Sequence, residues 1–175
     1  MATKIKNSPA MMDVFDAIQA NIRTGGVYHN AYVAEDRDFD TDTRLCWLTG
    51  AVGNLTQVRN DPYRDQLLDV ASILFTWLQA LGLSPLDIVE AIAQERSRQI
   101  QLFRDKQIGF RVDSNVVAHN RKMRVLVEEL GEVAHAIDKL EEIPKAPRLQ
   151  QNLITELVQT AAVTVAWLET PEVKS

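Results

Sequence analysis

The 175-residue chain repeats itself. Leu48 and Gly53, within Trp47-Leu48-Thr49-Gly50-Ala51-Val52-Gly53-Asn54-Leu55, recur as Leu126 and Gly131 within Val125-Leu126-Val127-Glu128-Glu129-Leu130-Gly131-Glu132-Val133, an offset of 78. An offset of 90 aligns Gln66-Leu67-Leu68-Asp69 with Glu156-Leu157-Val158-Gln159, Ala71 with Ala161, and Trp77-Leu78 with Trp167-Leu168. Further upstream, Val14-Phe15-Asp16-Ala17-Ile18 corresponds to Ile88-Val89-Glu90-Ala91-Ile92. Ordered matches over this length point to a duplicated supersecondary unit whose apolar faces bury each other. Two such copies in one chain make a pseudo-twofold pair, as a homodimer does with two chains. The competing explanation is chance agreement between amphipathic helices, and the Gly and Trp matches argue against it. The expected division is residues 1–82 and 83–175, packed as one unit.

Apolar periodicity makes the repeated unit helical, and the whole chain an all-α bundle of about six main helices. Met12, Phe15, Ile18 and Ile22 set a first helix over Pro9 to Ile22, ahead of Gly25-Gly26. Residues 34 to 43, mostly acidic and polar, read as a loop ending in helix caps. A second helix is expected from Thr43 to Arg59, a turn at Asn60-Asp61-Pro62, and a strongly apolar third helix from Tyr63 to Leu81, closed by Gly82. Ser84-Pro85 reads as a cap and first-turn proline opening a fourth helix to Lys106, broken by Gly109. A fifth runs from Val116 to Glu142, Pro144 and Pro147 mark a linker, and a sixth spans Leu149 to Glu169.

Composition narrows the function. A net charge of −5 and a pI near 5.2 offer no general attraction to nucleic acid or to anionic membranes. No run reaches the ~18–20 apolar residues of a bilayer span, and the N-terminus lacks the apolar stretch of a signal peptide, so a cytoplasmic location is expected. The lone Cys46 rules out an intrachain disulfide and reads as a small core residue.

The second copy carries what the first lacks. Glu128, Glu129 and Glu132 fall at i, i+1 and i+4, so Glu128 and Glu132 share a helical face with Glu129 in reach. Alone, such a run is usually solvated charge. Here it lies among Leu126, Leu130, Val133 and Ile137, and Glu156 opens the next helix. Hard oxygen ligands from two helices suit Mg²⁺ or Mn²⁺. Glu132-Val133-Ala134-His135 also reads as a di-iron Glu-x-x-His pair, but the second pair such sites need is missing.

Glu128-Glu129-Leu130-Gly131-Glu132 followed by Glu156-Leu157-Val158-Gln159 resembles the Glu-Glu-x-x-Glu and Glu-x-x-Asp signature of the MazG-like, all-α nucleoside triphosphate pyrophosphohydrolases. The likeness covers roughly residues 88 to 169 and includes Glu95-Arg96-Ser97-Arg98-Gln99, similar to that family's nucleotide-contacting helix. It implies a metal-dependent enzyme cleaving an NTP or dNTP to the monophosphate and pyrophosphate. Glu129, Glu132, Glu156 and Gln159 would hold the metal, Mg²⁺ or alternatively Mn²⁺, while Glu128 accepts a proton from the attacking water and shares catalysis with Glu129. Arg96, Gln99, Lys106, Arg121, Lys122 and Arg124 would meet the substrate, although Arg96, Arg98, Arg121, Lys122 and Arg124 also read as solvated surface charge. Family members usually build sites across a dimer, so the first copy is expected to wall the cleft, and the internal pair could itself dimerise.

Two departures qualify the resemblance. Gln159 stands where the family has aspartate, which removes a charge and predicts weaker metal binding. The first copy has Gly50, Ala51 and Asn54 in place of the glutamates and keeps only Asp69, so it should bind no metal. These departures favour an alternative: a catalytically weak or inactive nucleotide-binding or regulatory protein. A helical interaction protein with merely solvated glutamates is a third reading.

Overall fold

In the computed structural model, the described residues are 9–24, 41–57, 63–143 and 146–170. They form six helices: α1 (Pro9–Thr24), α2 (Thr41–Leu55), α3 (Tyr63–Ala80), α4 (Pro85–Arg104), α5 (His119–Glu142) and α6 (Pro147–Leu168). The acidic loop up to residue 40, the turn at residues 60–62, Pro144 and the first eight residues lie outside the described set. The all-α expectation holds, and the boundaries differ where local turns override apolar periodicity. α2 stops at Leu55 because Thr56 and Gln57 turn back onto the carbonyls of Gly53 and Asn54. α5 begins at His119, three residues late, because bonds from Ser114 to Arg111 and from Val117 to Ser114 wind the preceding segment into turns.

Helix ends follow their capping chemistry. Ser84 and Asp87 form a reciprocal capping box, with the Ser84 hydroxyl accepting from the Asp87 amide and the Asp87 carboxylate accepting from Ser84. α3 closes through a Schellman pair of bonds, Gly82 to Gln79 and Leu83 to Leu78, which requires the left-handed backbone of Gly82 at φ 97°. α4 closes in the same way through Lys106 to Phe103 and Gln107 to Leu102, with a lysine at φ 57° in the position glycine usually takes.

The core is centred on α3 and α6. Residues 70–78 of α3 and 160–168 of α6 are buried without interruption, so these helices are enclosed all round. Small side chains, including Ala71, Ser72, Ala161 and Ala162, occupy this centre. The buried hydroxyls of Thr76 and Thr164 donate to carbonyls one turn back, Ser72 and Thr160, and are satisfied within their own helices. α1 and α2 pack on α3; α4 and α5 pack on α6.

Exchanging the halves maps this arrangement onto itself. α1 on α3 becomes α4 on α6, α2 on α3 becomes α5 on α6, and the touch of α3 on α4 becomes that of α6 on α1, while α3–α6 and α2–α5 map onto themselves. Leu48 and Leu126 are both fully buried, as are Trp77 and, nearly so, Trp167. Even the buried bases correspond: Arg44 and Lys122, at the same offset of 78, are each pushed below their ordinary pKa by burial.

Cys46 is exposed rather than a core residue. The buried stripe of α2 runs through Arg44, Leu48, Ala51, Val52 and Leu55, and a position two residues before Leu48 falls on the opposite face. Among the described residues no single helix is long and apolar enough to cross a membrane; α3 with α4 reaches the length but bends by 120° at the junction. The matched glycines are not forced by packing, since a Cβ at Gly53 or Gly131 meets nothing within 4 Å. Opposite outcomes are therefore expected at two glycines. Gly82→Ala should lower stability by about 1 kcal/mol, and Gly131→Ala should raise it by about 1 kcal/mol, in urea melts of each variant.

Candidate functional site

Two carboxylates sit on helix stripes that otherwise face the core. On α5 the inward stripe passes Lys122, Leu126, Glu129, Val133 and Ala136, with Glu129 half-buried and Glu128 and Glu132 exposed on either side. On α4 the stripe Ile88, Ile92, Glu95 brings in a second buried acid. Glu156, half-buried at mid-length in α6, is the third helix's contribution. These groups feel one another. Burial first, then the charges of Glu156, Glu95 and Glu128, push Glu129 up to about 7, against a smaller opposing pull from Arg98. Burial and the charges of Glu132 and Glu95 likewise raise Glu156.

Glu95 is the residue that sequence reasoning passed over as a ligand. Its signal was a carboxylate at a heptad-like inward position behind Ile88 and Ile92, where an apolar residue would be routine. The Arg98 guanidinium forks it through Nε and a terminal nitrogen at 2.6 and 2.7 Å, and the Gln99 amide donates to it at 3.0 Å.

A cavity of about 360 Å³ opens beside these acids. One wall is apolar, with Ile100, Ile108, Phe110, Val125 and Val163; the other carries Arg96, Arg98, Gln99, Arg111, Glu128 and Glu129. This mixture of an apolar wall and a few convergent polar groups is typical of small-molecule sites. On the far side of Arg98, a second, more open depression includes Glu95, Gln151, Thr155 and Gln159. All described residues lining both belong to the second half or its entry at Leu83. Among the described residues the wall is formed by the α4–α5 connector, which folds back over α5 through residues 108–112.

That connector is fastened by ion pairs. The buried Arg96 guanidinium binds Asp113 at 2.9 Å and Glu169 at 3.1 Å, and Arg111 grips the same Asp113 from the other side. Burial raises the Asp113 carboxyl, but the hydrogen bonds and charges of Arg111 and Arg96 outweigh it and leave the group below its ordinary value. Arg96 therefore lines the cavity as a strut of its wall, with its charge committed to two carboxylates.

The other sequence-nominated bases are dispersed. Lys122 is buried; its ammonium donates to the Thr170 hydroxyl at 2.9 Å and lies 5.9 Å from the Trp167 ring, so it is an interior residue rather than a substrate contact. Arg121 stacks on Phe110 at 4.0 Å, behind the cavity wall. Arg124 is exposed on α5, and Lys106 is exposed at the end of α4. Gln99 and Glu128 do line the cavity. Gln159 lines the second depression instead.

The first half holds a neutralised counterpart. The offset that pairs Val14 with Ile88 places Asn21 at the position of Glu95, and Asn21 donates to Asp69 at 3.2 Å and to Ser72 at 3.1 Å. Ala51, Asn54 and Gln66 stand for Glu129, Glu132 and Glu156. Among these matched positions the first half keeps one carboxylate, Asp69.

For a divalent cation, the donor set in the second half is right in kind: hard oxygens from three helices, crowded until one is pushed to about 7. Their placement is not closed. Among the described residues no three acidic, cysteine or histidine side chains stand close enough together to hold one ion.

Two outcomes follow from these charges. Glu129 holds its proton more tightly folded (about 7) than unfolded (4.5), so stability is greatest below pH 4.5 and is lost as pH rises through 7. Glu129→Gln, measured by urea melts in chelator, should match wild type below pH 4.5 and exceed it above pH 7, by roughly 1–2 kcal/mol after allowing for solvent screening. Arg96→Met should cost about 3 kcal/mol, because Asp113 and Glu169 each lose one ion-pair partner while partly buried, and amide exchange should rise selectively in residues 105–118.

No family model, curated protein or solved structure matches this chain, so its chemistry is carried by the residues themselves.

Proposed function

We propose that the chain is a metal-dependent nucleoside triphosphate pyrophosphohydrolase whose single site lies in the second of two tandem copies. The observation that supports it most is the half-buried Glu129, facing Glu95 and Glu156 from two other helices at the edge of a cavity with one apolar and one arginine-bearing wall. A fold does not place an unneutralised carboxylate on a core-facing stripe without a cost, and a bound cation removes that cost.

The residues divide the work. Ile100, Ile108, Phe110 and Val125 give a base or sugar an apolar surface and exclude water from it. Arg98 and Arg111, both more than a third exposed, are the bases of the cavity wall with reach toward phosphates. A divalent ion held by Glu129, Glu132 and Glu156, with Gln159 offering a carbonyl oxygen, would neutralise triphosphate charge and acidify a water for attack. Glu128, an exposed carboxylate on the cavity wall, would accept that proton. The neutral Gln159 and the stripped first half support the second reading, a nucleotide-binding protein with little turnover.

Pyrophosphate release from a panel of canonical and modified NTPs and dNTPs, with Mg²⁺ or Mn²⁺, separates these readings. For the enzyme, Glu129→Gln should lose about 100-fold or more of the rate, and Gln159→Asp should gain roughly a few-fold. Metal-dependent thermal stabilisation by nucleotide without pyrophosphate release would select the binding protein. Neither release nor stabilisation would leave a helical interaction protein.

A further inference from the structure

The most deeply buried polar side chain of the cavity wall has a hydrogen to give and nothing to receive it. Arg96 is 7% exposed and lines the cavity. Its terminal nitrogens are committed, one to Asp113 and Glu169 and the other to the Gln99 amide oxygen at 3.5 Å. The Nε–H of the same guanidinium is buried and has no hydrogen-bond partner among the described residues. An unpaired buried donor on a charged group is costly, and native structures carry few of them.

The other polar groups of the wall are shallower. The Arg98 and Arg111 side chains are 54% and 39% exposed, Glu128 is exposed and Glu129 half-buried, while Ile100, Ile108, Phe110, Val125 and Val163 offer no acceptor. This gradient of depth orders a nucleotide. With its phosphates beside Arg98 and Arg111 on the open side, the base enters with the edge farthest from its sugar leading. In uracil, guanine and hypoxanthine that edge carries a carbonyl oxygen; in cytosine and adenine it carries an amino group, whose hydrogens would face another donor.

We propose that the cavity selects bases with an oxo group on the leading edge, that oxygen accepting a hydrogen bond from Arg96 Nε–H, and rejects bases with an amino group there. This selectivity rests on the nucleotide reading above and needs no cation at the acids. Its origin is a single buried donor in an otherwise apolar recess, where the wrong base leaves that donor and its own amine both unpaired.

The test is calorimetric titration of the full chain with UTP, CTP, ITP and ATP, once with Mg²⁺ and once with chelator. Within the pairs UTP–CTP and ITP–ATP the sugar, the phosphates and any bound ion are the same, so each affinity ratio reports the leading edge of the base. UTP should bind at least about tenfold more tightly than CTP, and ITP than ATP, in each buffer that supports binding. Arg96→Lys keeps a positive charge for Asp113 and Glu169 but has no Nε–H, and should bring both ratios to within about twofold of one; its melting is followed in parallel, and if it does not fold the wild-type ratios decide alone. Equal binding within both pairs by wild type would show that water satisfies the Nε–H, and would overturn the selectivity while leaving the nucleotide reading standing. Ratios that persist in folded Arg96→Lys overturn Arg96 as the group that reads the base. Binding of none of the four in either buffer removes the nucleotide reading and the selectivity together.

Discussion

The packing of α3 against α6 is the constraint from which the rest of this protein follows. Residues 70–78 of α3 and 160–168 of α6 are enclosed on every side, and the remaining four helices are distributed as two pairs around them. Close approach requires small residues and hydroxyls that satisfy themselves on their own backbone, which is what Ala71, Thr76, Ala162 and Thr164 provide. Once that axis is set, α1 and α2 belong to α3, α4 and α5 belong to α6, and the exchange symmetry of the contacts comes with it.

The same architecture explains why buried carboxylate charge collects at these positions in one half and not at the matched positions of the other. A carboxylate at the position of Glu129 or Glu95 points inward in either half, where it must find a cation or a proton. The first half has substituted Ala51 and Asn21 at those positions, and Asn21 satisfies the surviving Asp69. The second half retains the acids and offsets them with Arg98. Stability is therefore distributed evenly between the halves, while unresolved charge is concentrated in one, beside a connector strapped down by Arg96, Asp113 and Arg111.

Much of this was legible in the chain itself. Helix type and order could be read because an apolar residue every three or four positions fits only one backbone period, and because Ser84, Pro85 and Gly82 carry their capping roles in their own covalent structure; Pro147, read as linker, instead opens α6. Cys46 was assigned to the core by residue type, whereas its position on the helix stripe puts it outside; the same rule of position puts Lys122 and Arg96 inside. Lys122 is buried because it follows the inward stripe that includes Leu126, and Arg96 because two acids remote in sequence wait for it. Glu95 escaped notice as a ligand for the complementary reason, being an acid on a stripe whose direction had not been used.

The sequence by itself determined that the chain is helical, that its halves correspond, and that only the second half keeps a run of glutamates. These depend on neighbours within one or two helical turns, or on a comparison of the chain with itself. Tertiary structure alone decided which of those glutamates is driven inward, that Glu95 joins them with Arg98 attached, and that the α4–α5 connector lines the cavity. Such outcomes depend on the distances between charges on three different helices and on the water excluded between them, and neither quantity is encoded in the spacing of residues along the chain.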